Sequence, residues 1–202
     1  MFKNTFSMEG ILWQIINTLI NIIILNVLFL ICSIPLFTIG ASSTALYTVS
    51  LKLAANEEPY IFKTFFKAFA SNFKQGTVIW LICLVLGLSF AGDIRLIQTG
   101  VLHYVFIFLL LYLLLVLSYV FPILSKFDNT IKNTLFNALC MGIRHFLPWS
   151  LLILLCNAIP FIVYGINATT LYFILPIMVT CGFSVIAYIN SKLFNHIFKK
   201  YI

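Results

Sequence analysis

From Ile11 to Leu36 the chain carries no charged residue. At 1.5 Å per residue that run is long enough to cross the ~30 Å hydrocarbon core of a bilayer with some tilt. An apolar stretch of this length has few soluble solutions, and the pattern recurs along the chain. The spacing predicts an all-α polytopic transmembrane helical bundle of about six spans, over residues 11–36, 38–55, 76–92, 101–124, 148–165 and 170–190. The first run follows Lys3 and ends near Ala-Ser-Ser-Thr-Ala, superficially like a signal peptide. It is too long for a signal-peptide core, so a retained helix is expected. With 62% hydrophobic residues, 8% charged residues and mean hydropathy +1.11, the lipid bilayer is the expected partner and 1–202 one membrane domain.

The net charge of +7 would suggest nucleic acid in a soluble protein, but here the basic residues are scattered between apolar segments. Topology explains them better, because Lys and Arg are retained on the cytoplasmic side. With both termini inside a bacterial cell membrane, eleven of the twelve Lys and Arg residues fall on the cytoplasmic side and Arg95 stands alone outside. No nucleic-acid partner is expected. Asp93 and Arg95 are two positions apart and do not share a helical face; they cap segment ends in water or form an outer polar vestibule.

Inside the first span Asn17 and Asn21 are one turn apart and Asn26 points elsewhere. Interhelical hydrogen bonding is the plain reading and a polar pathway the sharper one. Pro35 ends that span. Residues 38–55 then present a small, hydroxylic face containing Gly40, Ser43 or Thr44, Tyr47 and Ser50, the kind that lets helix backbones approach closely. A short crossing packed inside the bundle is expected. A re-entrant half-helix is the alternative, but after one crossing it would strand Lys52, Lys63, Lys67 and Lys74 outside.

Two amphipathic cytoplasmic helices are expected at the interface, over residues 60–74 and 128–146. In the first, Phe62, Phe65, Phe66, Phe69 and Phe73 recur at helical spacing with Lys63, Lys67 and Lys74 between them, and Glu57 and Glu58 precede its N-terminus. In the second, Ile131, Leu135, Leu139, Ile143 and Phe146 form the apolar face, beside Lys126, Asp128, Lys132 and Arg144. A shift of 70 residues overlays the two, suggesting an internal duplication. Pro160 and Pro176 are expected to kink the last two spans, with Asn157 near the first kink.

The cysteines and histidines have no metal-binding or nucleophile spacing, and no acid–base pair lies inside a span. No cofactor, metal or catalytic residue is expected, and the chain is not read as an enzyme. The segments SIPLFTIGASSTALYTVSLKL, NEEPYIFKTFFKAFASNFKQGT and FPILSKFDNTIKNTLFNALCMGIRHFLP resemble the YesL family of bacterial integral membrane proteins, a family of unknown function. Matching positions include Pro35, Thr38, Gly40, Ser43, Glu57, Glu58, Phe65, Phe73, Asp128 and Asn129. The resemblance implies an association with carbohydrate uptake, with a transporter subunit or another membrane or cytosolic protein as partner. A likeness to the coupling loop of ATP-driven sugar permeases covers Asn137-Ala138-Leu139, Gly142 and Pro148; the Glu of that loop is missing and both spacings are short.

Overall fold

The computed structural model describes residues 8–57, 59–97, 99–144, 153 and 175–199. Every regular element among them is helical. The order is α1 (Met8–Ser33), a 3-10 turn (Leu36–Thr38), α2 (Ile39–Ala54), α3 (Ile61–Leu96), α4 (Val101–Lys126) and α5 (Ile131–Arg144). A π-helical turn (Met178–Gly182) and α6 (Phe183–Phe198) close the series. Among the described residues four helical stretches are long and apolar enough to cross a membrane: Trp13–Ser33, Ile61–Leu96, Val101–Lys126 and Leu175–Phe198. The chain is therefore a helical membrane protein. The expected span 148–165, with Pro160 and Asn157, lies outside the described residues apart from Ile153.

The axis of the bundle is α2. Most of its sixteen residues are buried, and α1, α3, α4 and α6 all pack on it. Its small side chains explain why it takes the interior: between lipid-surrounded helices, close backbone approach supplies the attraction that burial from water supplies in soluble folds. On α1, Leu19, Ile23, Val27 and Ile31 face outward, while Ile22, Leu25, Leu28 and Phe29 are buried. At about 24 Å, α2 is shorter than the hydrocarbon core.

The α1–α2 junction is built around Pro35. A residue preceding proline is held out of the helical region, so α1 stops before Ile34. Thr38, buried, donates its hydroxyl to the carbonyls of Cys32 (2.6 Å) and Pro35 (2.7 Å). From α3, Trp80 Nε1 donates to the Leu36 carbonyl at 2.8 Å. Three carbonyls that the break would leave open are thereby paired. The junction thus sits against Trp80, and the remainder of α3 runs about 24 Å beyond it before turning into α4.

The separate interfacial helix and third span expected over 60–74 and 76–92 form one continuous helix, α3, of 36 residues. No proline interrupts it, and Gly76 is buried against α2 rather than marking a break. At about 54 Å the helix exceeds the hydrocarbon thickness, so its ends extend beyond the core or it tilts. The phenylalanines do not share one face. Phe65 is 0% exposed and packs with Ile61 and Ala68 in the core, whereas Phe62 and Phe66 are 58% and 49% exposed beside the exposed Lys63 and Lys67.

The second expected interfacial helix also differs in placement. α5 doubles back along α4: Tyr112 donates its hydroxyl to the Leu139 carbonyl at 3.4 Å, and Gly142 faces Leu115. Its buried stripe is Thr134, Ala138 and Gly142, while Phe136, Leu139 and Ile143 are exposed. Of the apolar face read from the sequence, Leu139 and Ile143 are on the outside while Ile131 and Leu135 are partly buried against the core. Small residues spaced by four occupy the contact because the packing partner is a helix and the outside of the bundle is itself apolar. α3 and α5 begin 70 residues apart, at Ile61 and Ile131, and Ala68 and Ala138 are both buried.

Candidate functional site

The polar residues of the interior gather along one side of α2. The first cluster lies where α1 meets the π-helical turn. A π turn widens the helix and shifts its hydrogen bonding by one residue. Asn26, 0% exposed, fills the altered pattern: its Nδ2 donates to the carbonyls of Val179 (2.7 Å) and Met178 (3.1 Å), and its Oδ1 accepts the Ser184 N–H at 3.1 Å. One side chain thus ties α1 to both ends of the irregular turn. The ring of Phe29, one turn further along α1, packs against Phe183 at 5.4 Å.

About two turns along α6 lies the second cluster, formed by α2, α4 and α6. Asn190, 0% exposed, donates Nδ2 to the Tyr47 hydroxyl at 3.3 Å. Its Oδ1 has no partner among the described residues, nor do the buried hydroxyls of Ser50 and Ser191. An unpaired buried polar group costs on the order of 1–3 kcal/mol. Polar groups inside a membrane bundle face its interior, and here Asn190, Ser50 and Ser191 are all buried. Phe194 lies edge-on to both Tyr47 (6.2 Å) and Tyr119 (5.3 Å) and stacks on Phe198 at 5.4 Å, which meets Phe127 at 5.3 Å.

This aromatic column leads to a cleft where α2, α4 and α6 end together. The cleft measures about 410 Å³ and is lined by Asn56, Lys126, Asn195, Phe198 and Lys199 among others. A smaller recess of about 90 Å³ beside it adds Lys52, Glu57 and Ser125. Lysine in the last turn of a helix is favoured by the macrodipole. Asn195 reaches across to α2 and donates Nδ2 to the Leu51 carbonyl at 3.0 Å, fixing α6 on the end of α2. Asn56 adopts φ +58°, the left-handed conformation that ends the helix and turns the chain toward α3.

The structure brings some of the sequence-selected residues together and leaves others apart. Thr38 bonds the Cys32 and Pro35 carbonyls at the junction, and Gly40 lies against Gly76 and Trp80. Glu57 lines the recess. Ser43 is half-buried on α2. Lys63 and Lys67 are exposed on α3, Asp128 is exposed and Asn129 half-buried after α4, and Arg144 closes α5. Glu58 lies outside the described residues. Asn17 and Asn21 are half-buried, and the interhelical bonds of α1 belong to Asn26, half a turn away. Asn190 and Asn195 were not singled out from the sequence; a polar amide recurring on a span that ends in lysines was the available signal.

Comparison with known proteins follows the same part of the fold. The family model described as protein of unknown function, DUF624, matches residues 22–94, which run from α1 through the Pro35 junction and α2 into α3. The chain is 28% identical over 116 residues to the protein described as uncharacterized protein YesL of Bacillus subtilis (strain 168). That match takes in 55% of this chain and 56% of the relative, so the chain spans about half the length of the curated relative it matches. No solved structure matches. The Thr38 and Gly40 junction lies inside the segment matched by the family model, and the chain is similar to the YesL protein.

Proposed function

We propose that this protein is a permease-like or accessory component of carbohydrate uptake in a bacterial cell membrane. The observation that carries the reading is Asn190: a fully buried amide, bonded to Tyr47 on one side and open on the other, inside a helix bundle with an apolar exterior. Uncharged amides and hydroxyls next to aromatic rings match the chemistry of a neutral, polyhydroxylated solute better than that of an ion.

The topology that goes with this reading has six crossings, with α2 as the short interior one and the lysine-rich end of α2, α4 and α6 in the cytoplasm. The excess of lysine at that end supports the orientation. The parity is the same if the α1–α2 hairpin turns back inside the bilayer, since both of its ends stay on one side. No catalytic or cofactor role is part of the proposal. The test is uptake and growth on oligosaccharides in cells with and without the protein. Slower uptake of at least one sugar class is expected, and unchanged uptake and growth across the panel would count against the reading.

A second reading rests on a different observation, the exposed Phe62 and Phe66 beside Lys63 and Lys67. A scaffold or signalling protein would use that face to hold a cytosolic or membrane partner. Reversing both charges, Lys63→Glu with Lys67→Glu, should then abolish co-purification of the partner; retention of the complex would remove this reading.

A further inference from the structure

We propose that the cleft at the shared end of α2, α4 and α6 binds a ligand through an anionic phosphate group. The proposal stands apart from the uptake reading, since it concerns the mouth of the bundle and not its interior. Three exposed lysines from the ends of three helices line the two cavities: Lys126 and Lys199 the main cleft, and Lys52 with Lys126 the adjoining recess. Among the described residues none of them closes an ion pair. Glu57 is the carboxylate on the lining.

Helix C-termini oppose an anion, so their contribution decides the sign. Counted in full at about −0.5 charge each, the three helix ends together with Glu57 still fall short of three ammonium charges. The ends are also capped. The Leu51 carbonyl accepts from Asn195 Nδ2 and the Ala55 N–H, that of Lys52 from the Ala55 and Glu57 N–H groups, and that of Ile123 from Phe127. Those carbonyls of α2 and α4 are occupied without a lysine. Ammonium groups act as separate point charges and suit a tetrahedral group that offers oxygens in several directions. A volume of about 410 Å³ lies within the usual range of small-molecule sites.

The phosphate could belong to a soluble ester or to an anionic lipid headgroup, and the experiment separates the two. The full chain is held in nanodiscs of zwitterionic phosphatidylcholine and titrated with glucose 6-phosphate; in parallel, retention of phosphatidylglycerol from mixed nanodiscs is measured. Saturable binding of one probe is expected. Lys126→Gln or Lys199→Gln should weaken it at least fivefold, Lys126→Arg should restore it, and Lys74→Gln should leave it unchanged. Glucose 6-phosphate binding assigns a soluble ligand, and phosphatidylglycerol binding alone assigns a lipid. Absence of saturable binding by either probe overturns the proposal, as does binding that Lys126→Gln and Lys199→Gln leave at the wild-type level or that Lys74→Gln weakens equally.

Discussion

The backbones of α2 and α3 touch at Gly40 and Gly76. A Cβ built on Gly76 would lie 2.9 Å from the Ala41 nitrogen and 3.0 Å from the Gly40 carbonyl carbon, and one on Gly40 would overlap the Gly76 carbonyl. Neither position has room for a methyl group, and the neighbours are backbone, which cannot swing aside. The contact fixes the register of the two helices and with it the place where Trp80 meets the Leu36 carbonyl.

Gly40→Ala is therefore expected to destabilise the protein although alanine is the better helix former. Overpacking costs about 1–3 kcal/mol, against a propensity gain of about 1 kcal/mol. Gly92→Ala, where the added carbon meets nothing within 4 Å, should be neutral or slightly stabilising. Thermal unfolding of both variants in detergent micelles checks the pair; an unchanged melting temperature for Gly40→Ala would mean that the helices do not meet there.

Asn26 bridges α1 to the π-helical turn through three hydrogen bonds. Interhelical bonds inside membranes average about 0.6 kcal/mol and reach about 1.7. Asn26→Leu should accordingly cost on the order of 2 kcal/mol, while Asn21→Leu, one face away, should stay within about 0.5 kcal/mol. Unfolding in a graded denaturing detergent measures both. Equal losses would place the interhelical bonding elsewhere on α1.

On α5 the prediction concerns which face is the inner one. Ala138 is 0% exposed and Phe136 is 64% exposed. Ala138→Leu should push α5 off α4 and lower stability by about 1–3 kcal/mol, whereas Phe136→Ala should change it by about 0.5 kcal/mol or less. The reverse order, read from the same unfolding curves, would restore the large apolar residues as the packing face.

Much of this architecture was legible in the sequence. Pro35 marked the end of α1, and the small hydroxylic residues after it marked an interior helix. Span length alone was enough to identify α1 and α4. Faces were harder. The spacing places Phe62, Phe66, Leu139 and Ile143 on the apolar faces of interfacial helices, but helical period alone does not tell a face that meets lipid from one that meets protein. In a bundle with an apolar exterior the large side chains face outward and the small ones mediate contact, so Thr134, Ala138 and Gly142 carry the packing. The same blindness hid the site. Asn190 and Asn195 lie nearly 150 positions from Tyr47 and Leu51, and no local pattern announces that α6 will lie along α2.

The central claim is that the amide and hydroxyl lining around Tyr47 and Asn190 handles a polar solute. Labelled oligosaccharide uptake in cells lacking the protein, complemented with wild type or with Asn190→Leu at matched membrane levels, tests it most directly. The account predicts that wild type and Phe136→Ala restore uptake while Asn190→Leu restores a tenth or less of it, about 1.4 kcal/mol or more of lost interaction. Full restoration by Asn190→Leu would contradict it.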